Sequence, residues 1–398
     1  MIRLEADISR IRWDVKPYIP PSKSISNRAL LLGHLCADGP SPIKNLSRCD
    51  DTLAMERGLH AANDGSDVEL TVNVGGAGTA MRFLTAYYAS QPGCRVLLTG
   101  NERMKQRPIA PLVEALRRLG AAIDYAEEVG FPPLHICGQT LHGGQLTING
   151  SISSQFVSAL LMVAPLTEGI TLTLTGNIVS RPYIDMTLAL MAHYGITARW
   201  MDSHTVSVPQ GFYHSHPLTV ETDWSAASYW MAMRKVGEQP LPYLSIAENS
   251  LQGDSICVQL LNDMPTNFDF SPCPDLVQTM AVSYSLMGRP FVFSGVGNLR
   301  LKETDRLQAL TCELAKLGYD VRCDGHVLRS CYAAGYHPDT VQADTVIETY
   351  NDHRMAMAFA PAALRMGSII INHPEVVSKS YPGFWDDLRH IGFTITEL

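Results

Sequence analysis

Hydrophobic and polar positions repeat along the chain on one plan, in which an apolar β-rich run is followed by a polar loop and an amphipathic helix. In one copy the helical spacing is clear, because Leu112, Leu116 and Leu119 recur on one face. Glycines that suit a helix C-cap follow these helices at Gly120, Gly195, Gly318 and Gly392. The clear copies begin at Arg95, Ile170, Pro290 and Ile369, and two weaker copies begin at Ser41 and Tyr243.

A second set of predicted helices lies between these copies. They are rich in alanine, methionine and leucine and have no broad charged face, which is typical of buried helices. Their sequences are SISNRALLLGHL, GTAMRFLTAYYA, SSQFVSALLMVA, WSAASYWMAMR, DLVQTMAVSYSL and DHRMAMAFAPAAL. Together the two sets predict six strand–helix–strand–helix units, three in each of two domains that join near residues 215–224.

Length, composition and charge argue against several classes of protein. The 398 residues exceed one ordinary core, and no apolar run is long enough to span a membrane. The charged N-terminal stretch MIRLEADISRIRW lacks the apolar centre of a signal peptide, so we expect a cytoplasmic protein. A net charge of −8 argues against nucleic-acid binding, and scattered cysteines and histidines argue against a metal site.

Polar residues are concentrated at the starts of the inner helices and in the loops of the repeats. The helix starts carry Lys23-Ser24, Gly78-Thr79, Ser153-Ser154-Gln155, Asp223 and Asp352-His353-Arg354. The loops carry Arg107, Ser180-Arg181-Tyr183, Lys302 and Lys379. Helix N-termini present unsatisfied N–H groups and a partial positive charge, so several converging ends would bind an anion. The recurrence of cations in equivalent loops of an acidic chain indicates that they bind one shared anionic ligand.

Each of these stretches also has a purely structural explanation. Ser24 and Asp275 could be helix caps, and the glycines before Thr79 could form an ordinary turn. The run RMKQRP could be a solvated face. Against this, Pro108 at a helix N1 position would direct Arg107 out of the loop.

Seven segments together closely resemble the signature of the 5-enolpyruvylshikimate-3-phosphate synthase family. In order from residue 21 to about residue 385, they are PSKSISNRALLL, GAGTAMRFL, RMKQRPIAPLVEALRRLGA, GSISSQFVSALLM, SRPYIDMTL, KETDRLQAL and YNDHRMAMAF. The resemblance implies an α/β fold, a two-domain inside-out α/β barrel with six βαβαββ-type repeats. It implies a domain of residues 15–220 and a domain of residues 1–14 plus 221–398, with the active site in the cleft between them, in a monomer.

The resemblance also implies an activity. The enolpyruvyl group of phosphoenolpyruvate would be transferred to the 5-hydroxyl of shikimate 3-phosphate by addition and elimination, with release of phosphate and no cofactor or metal. One alternative is a UDP-N-acetylglucosamine 1-carboxyvinyltransferase, whose family carries a loop cysteine that is missing from GNERMKQRP here. A second alternative is a non-catalytic homologue, although all the expected catalytic groups are present.

Functional residues follow from the resemblance, motif by motif. Proton transfer is expected from Lys23, Asp275 and Glu303. Shikimate 3-phosphate is expected to bind Lys23, Ser24, Arg28, Ser153, Ser154, Gln155, Ser180, Tyr183, Asp275, Asn298 and Lys302. Phosphoenolpyruvate is expected to bind Lys23, Gly78, Thr79, Arg107, Gln155, Arg306, Arg354 and Lys379. In the KETDR segment, Asp305 is expected to be a structural carboxylate of the first helical turn.

Two positions depart from the family pattern. Gly76 stands where the family often has Asn, and Phe83 stands where it often has Pro. The resemblance places both near the phosphoenolpyruvate residues. They therefore bear on the affinity for phosphoenolpyruvate and for glyphosate, an expected inhibitor, and not on the reaction itself.

Overall fold

The structure is a computed structural model that describes residues 1–61, 68–241, 249–338 and 342–398. Its strands are β1 (Ile2–Glu5), β2 (Ile43–Lys44), β3 (Leu70–Asn73), β4 (Arg95–Thr99), β5 (Ala122–Tyr125), β6 (Leu134–Cys137), β7 (Gly144–Asn149), β8 (Ile170–Thr175), β9 (Arg199–Trp200), β10 (Thr205–Val208), β11 (Leu218–Thr219), β12 (Asn267–Asp269), β13 (Val292–Ser294), β14 (Val321–Asp324), β15 (Val327–Ser330), β16 (Thr345–Ile347), β17 (Ser368–Ile371) and β18 (Thr394–Glu397). Its helices are α1 (Lys23–His34), α2 (Asp50–His60), α3 (Gly78–Ala89), α4 (Glu102–Lys105), α5 (Ala110–Arg118), α6 (Ser154–Val163), α7 (Arg181–His193), α8 (Trp224–Val236), α9 (Cys257–Asp263), α10 (Val277–Leu286), α11 (Arg306–Lys316), α12 (His353–Phe359), α13 (Ala362–Met366) and α14 (Phe384–Ile391).

The chain forms two compact units. One unit consists of Pro21–Glu221, and the other combines Met1–Pro20 with Thr222–Leu398. The first twenty residues therefore fold with the carboxyl-terminal half of the chain. Each unit has its own hydrophobic core.

In the unit of residues 21–221, two sheets run in the order β3-β4-β6-β5 and β7-β8-β10-β9, and β2 pairs with β11. The first pair of each four-stranded sheet is parallel, with Leu70 opposite Val96 and Gly144 opposite Ile170. A parallel pair needs a crossover, which α3 and α6 supply. The remaining pairs of these two sheets are antiparallel.

The crossover helices form the core of this unit. Every residue of α3 is buried except Thr79, and every residue of α6 is buried except Gln155. Such helices require apolar residues on all sides, which their composition provides. Their less buried positions are thus polar residues of the first turn, and both belong to the expected site.

The second unit repeats this plan, with sheets in the order β12-β13-β15-β14 and β16-β17-β1-β18. Strand β1 lies between two neighbours, with Ile2 opposite Ile371 on one side and Glu397 on the other. Its inner helices include α10, which is buried along its whole length. The last inner helix is divided into α12 and α13, with Pro361 at the break. A proline has no backbone N–H group to donate, so it interrupts the hydrogen bonds of a helix.

Several local predictions can be compared with this fold. The expected C-cap glycines Gly120, Gly195, Gly318 and Gly392 all adopt positive φ, from 83° to 113°, and are confirmed. The expectation that Pro108 occupies a helix N1 position is wrong, since α5 begins at Ala110 and Pro111 lies in its first turn. The weak repeat from Tyr243 falls partly on residues 242–248, which lie outside the described residues.

Candidate active site

The first turn of α1 holds the expected catalytic lysine against a carboxylate. Ser22 is the N-cap, because its Oγ accepts a hydrogen bond from the Ile25 amide at 3.4 Å. Ser24, for which a capping role was the alternative, lies inside the helix. The Nζ of Lys23 lies 3.0 Å from Oδ2 of Asp51, and both side chains are largely buried. The ion pair offsets the cost of placing a cation at a helix N-terminus.

Arg28, one turn further along α1, is a buried cation held by neutral oxygen atoms. Its Nε donates to Thr187 Oγ1 at 2.7 Å, and its Nη2 donates to Ser158 Oγ at 3.1 Å. The backbone carbonyls of Ser24 and Tyr183 accept two further hydrogen bonds. Burial lowers the pKa of Arg28 to about 10, and none of the carboxylates in the described part of the chain forms an ion pair with it. An anionic ligand would therefore stabilise this guanidinium.

The ring of Phe83 packs against the same guanidinium, with Arg28 Cζ 5.4 Å from the ring centroid. Phe83 is fully buried in α3, whereas Gly76 lies in the turn that precedes this helix. The Phe83 departure from the family pattern is thus in direct contact with a residue expected to bind shikimate 3-phosphate. A cation over an aromatic face gains about 0.5–2 kcal/mol, so Phe83 helps to hold Arg28 in place.

The start of α3 lies directly beside Arg107. A β-carbon on Gly78 would come within 2.6 Å of Arg107 Nη1, so the absence of a side chain at Gly78 permits this approach. Arg107 is only 6% exposed. Thr79 Oγ1 accepts a hydrogen bond from Gln155 Nε2 at 3.3 Å, which connects the starts of α3 and α6. Four residues expected to bind phosphoenolpyruvate therefore lie together.

The serines expected to bind phosphate lie at the starts of α6 and α7. Ser153 is the N-cap of α6, and its Oγ accepts from the Gln155 amide at 3.2 Å. Ser154 follows it and is buried. Ser180 precedes α7 in the left-handed conformation, with φ of 57°, which is uncommon for residues other than glycine. Backbone strain of this kind is concentrated at ligand-binding sites.

In the other unit, Arg306 lies at the centre of an ion-pair network. Its Nε lies 2.7 Å from Asp352 Oδ2, and its Nη1 lies 3.1 Å from Asp275 Oδ1. Its Nη2 lies 2.9 Å from Glu303 Oε2. Burial alone would lower the pKa of Arg306, but attraction to the three carboxylates outweighs burial and raises the pKa above its ordinary value. The guanidinium is therefore permanently charged and fixed in orientation.

Arg354 and Lys379 extend this network. Arg354 Nη2 lies 2.7 Å from Asp275 Oδ2, and its Nη1 donates to Tyr229 Oη at 3.2 Å. Lys379 Nζ lies 3.9 Å from Glu303 Oε1. Asp275, for which helix capping was an alternative, makes no cap and bridges two arginines instead.

The remaining expected residues of this unit lie on the short 3₁₀ turn Gly297–Leu301 and just after it. Asn298 Oδ1 is buried and accepts no hydrogen bond from the described residues. Lys302 ends the turn and is followed by Glu303, so the turn places an amide, an ammonium and a carboxylate in succession.

Asp305 has the structural role predicted for it. Its Oδ1 accepts hydrogen bonds from the amides of Leu307 and Gln308 at 3.2 and 3.1 Å, which caps α11. Its Oδ2 lies 2.9 Å from Nη1 of Arg300. This cap starts the helix at Arg306 and so fixes the position from which that side chain enters the network.

Comparison with known proteins identifies the family. The model of the EPSP synthase (3-phosphoshikimate 1-carboxyvinyltransferase) family matches residues 7–272 and 262–388. A Bacteroides fragilis protein named 3-phosphoshikimate 1-carboxyvinyltransferase is 45% identical, and the match covers 95% of this chain and 95% of the relative. A Vibrio cholerae protein of the same name is 37% identical, with 94% and 96% covered.

The chain belongs to the EPSP synthase family. The resemblance seen in its signature segments is confirmed, as is the expected enzyme class in preference to the UDP-N-acetylglucosamine enzyme. The EPSP synthase of Acinetobacter baumannii superposes with a TM-score of 0.74 at 20% identity over 100% of both chains. The enolpyruvyl transferase NikO of Streptomyces tendae superposes with a TM-score of 0.69 at 14% identity over 99% and 98% of the chains. These likenesses confirm the predicted enolpyruvyl transferase fold.

Two carboxylates of this EPSP synthase family member were missed by the sequence analysis. Asp51 pairs with Lys23, and Asp254 accepts a hydrogen bond from Ser225 Oγ. Burial and the nearby charge of Asp275 raise the pKa of Asp254 to about 7. The sequence marked these two residues only by position, since Asp51 is the second of two adjacent aspartates and Asp254 follows a Gln-Gly pair.

The structure adds two observations on other classes of site. Within the described ranges, no helix has the length and apolar character needed to cross a membrane. Across the same residues, no group of three or more potential metal-binding side chains lies close enough to hold an ion.

Proposed function

We propose that the chain transfers the enolpyruvyl group of phosphoenolpyruvate to the 5-hydroxyl of shikimate 3-phosphate and releases phosphate. One observation carries the proposal: in an acidic chain of net charge −8, cations of the family signature are withdrawn from solvent. Among the cations expected to bind the substrates, those less than 10% exposed are Arg28, Arg107, Arg306 and Arg354. Both proposed substrates carry a phosphate and a carboxylate, which such cations would bind.

The proposed substrate-binding residues are divided between the two units. In the unit of residues 21–221, Lys23 would contact both substrates, Arg28 would bind the shikimate carboxylate, and Arg107 the phosphate of phosphoenolpyruvate. Neutral hydrogen-bond donors for shikimate 3-phosphate would be Ser24, Ser153, Ser154, Gln155, Ser180 and Tyr183. In the other unit, Lys302 and Asn298 would complete the shikimate 3-phosphate site.

We propose that Asp275 exchanges partners when phosphoenolpyruvate binds. Its carboxylate contacts both Arg306 and Arg354 at 2.7–3.1 Å. Each arginine contacts a different oxygen of Asp275, and the carboxylate of phosphoenolpyruvate would replace Asp275 by placing one oxygen on each guanidinium. Asp275 would then be available to accept the proton of the 5-hydroxyl group.

The chemistry would proceed in two balanced steps. Glu303 would give a proton to the methylene carbon of phosphoenolpyruvate while the 5-oxygen bonds to C2, and Asp275 would take the hydroxyl proton. Elimination would then return a proton from the methyl group to Glu303 as the bond between C2 and the phosphate oxygen breaks, and the departing phosphate would take up the proton held by Asp275. Lys23, Arg107 and Lys379 would stabilise the negative charge on the departing phosphate.

The proposed domains are residues 15–220 and residues 1–14 plus 221–398, with substrates bound in a cleft between them. We propose a cytoplasmic monomer whose domains close on substrate, and glyphosate as an inhibitor that competes with phosphoenolpyruvate. Small-angle scattering with and without shikimate 3-phosphate plus glyphosate would test closure. A smaller radius of gyration is expected, and an unchanged radius would contradict it.

The proposed reaction is tested by phosphate release and by a matched pair of variants. The unmodified chain should release phosphate from phosphoenolpyruvate with shikimate 3-phosphate and not with UDP-N-acetylglucosamine. Glu303→Gln should reduce kcat by about 100-fold, because it removes a group that transfers protons. Glu375→Gln, at an exposed glutamate on a surface turn, is the control and should retain activity. Release only with the sugar nucleotide would contradict the proposal.

A further inference from the structure

A cavity of about 270 Å³ lies in the unit that contains both chain termini, and none of the residues assigned to the reaction lines it. It lies between the segment 12–17 and the carboxyl-terminal half of α8, with Ile391 of α14 at one side. Ligand sites usually have about 300–1,000 Å³. A cavity just below that range would accept a molecule of one or two rings.

Hydrogen bonds fix the walls of this cavity. The Arg12 amide donates to the Ile391 carbonyl at 2.8 Å, which attaches the segment to the end of α14. Arg234 Nε donates to the Pro240 carbonyl at 2.7 Å, and its Nη1 donates to the carbonyl of Trp13. The segment is thus held at two points, and the cavity is a built feature of the unit.

Two indole rings give the cavity an aromatic surface. Trp13 packs so closely on Gly237 that a β-carbon there would come within 2.6 Å of the ring, and Arg234 lies 5.7 Å from the Trp13 ring centroid. Trp230 is almost fully buried, and its Nε1 already donates to Tyr381 Oη at 3.1 Å. Because this N–H group is satisfied, the ring offers only apolar surface to a ligand. Flat aromatic molecules stack on such rings.

The charged residues of the lining favour an anion. Arg12, Lys16 and Arg234 provide three cations, against the single carboxylate of Asp14. Partial burial lowers the pKa of Arg234, because the charged guanidinium loses contact with water. An anion beside it would compensate for part of that loss. Because Nε and Nη1 of Arg234 already donate to backbone carbonyls, its Nη2 is the group that would donate to a ligand carboxylate.

We propose that this cavity is a binding site for small aromatic carboxylates, separate from the site of enolpyruvyl transfer. The ring lies between Trp13 and Trp230, and the carboxylate pairs with Arg234 and Lys16. The site does not depend on the proposed reaction, so binding can be measured without turnover.

Isothermal titration calorimetry on the full chain tests the proposal with 2-naphthoate, its neutral amide 2-naphthamide and the cation 2-naphthylmethylammonium. The carboxylate is expected to bind at least tenfold more tightly than the amide, and the cation to bind more weakly still. Equal affinities for the carboxylate and the amide, or no binding of the carboxylate, would overturn the proposal.

Variants locate the binding event. Arg234→Met and Lys16→Met are each expected to weaken 2-naphthoate binding by at least tenfold, whereas Lys235→Met, at the next position of α8 and outside the lining, should not. Lys16 is exposed, so its variant reports on binding even if Arg234→Met impairs folding. Arg354→Met should leave 2-naphthoate binding intact. If Arg354→Met abolishes binding while Lys16→Met does not, the probe occupies the reaction site and the proposal is wrong.

Discussion

Lys23 Nζ lies 3.0 Å from Asp51 Oδ2, and this pair connects the start of one helix to the start of the next. Asp51 lies beside Asp50 in the first turn of α2, yet Asp51 is buried and Asp50 is exposed. The two adjacent carboxylates therefore form a natural matched pair for mutation.

Asp51→Asn should lower kcat by about tenfold or more, because the amide keeps the shape but no longer holds the ammonium of Lys23 by charge. Steady-state kinetics with both substrates would measure the loss. Asp50→Asn is the control, and equal losses in the two variants would contradict a specific role for Asp51.

Gly78→Ala should weaken phosphoenolpyruvate binding. The new methyl group would lie 2.6 Å from the present position of Arg107 Nη1, so the guanidinium must move. We expect the KM for phosphoenolpyruvate to rise by about tenfold, equivalent to about 1.4 kcal/mol, while the KM for shikimate 3-phosphate changes little. Gly383→Ala is a suitable control, because its β-carbon would meet only Asp387 at an ordinary 3.8 Å. An unchanged KM for phosphoenolpyruvate would show that Arg107 does not bind it.

Much of this arrangement could be predicted from sequence, for local reasons. Gly120 and Gly318 mark helix ends because a left-handed C-cap strongly favours glycine. The lack of a charged face likewise identified α3 and α6 as buried. Such features depend on residues within one or two turns of each other.

Pairings between distant segments could not be predicted in this way. The Arg28–Phe83 contact joins two helices, and its residues are 55 positions apart in the chain. The sequence also could not predict that Ser22, and not Ser24, caps α1. Both serines suit an N-cap, and only the backbone geometry selects one. The error at Pro108 has a similar origin, since Pro111 satisfies the same preference one turn later.

Asp254 should make stability depend on pH. Its pKa is about 7 in the folded protein and ordinarily 3.8, so between these values the folded state holds a proton that the unfolded state has lost. The free energy of unfolding contributed by this group therefore falls as the pH rises from 5 to 8, by about 3 kcal/mol. Asp254→Asn, followed by urea denaturation at both pH values, should remove this decline. Asp263→Asn, at an exposed site, should keep it, and a decline that persists in Asp254→Asn would contradict the assignment.

Gln278 carries a buried amide in α10, and neither its Oε1 nor its Nε2 has a hydrogen-bond partner among the described residues. A buried polar group without a partner costs about 1–3 kcal/mol, so Gln278→Met should raise the free energy of unfolding by about 1 kcal/mol. Chemical denaturation would measure the difference. Gln308→Met, on the exposed face of α11, should have little effect. A destabilised Gln278→Met variant would instead indicate that an ordered water satisfies the amide.

The most direct test of the central claim is ³¹P NMR of the full chain mixed with phosphoenolpyruvate and shikimate 3-phosphate. We predict that the phosphoenolpyruvate signal disappears as inorganic phosphate appears in equal amount, while the shikimate phosphate signal shifts to that of the enolpyruvyl product. Persistence of both substrate signals, or consumption of phosphoenolpyruvate only when UDP-N-acetylglucosamine replaces shikimate 3-phosphate, would contradict the proposed function.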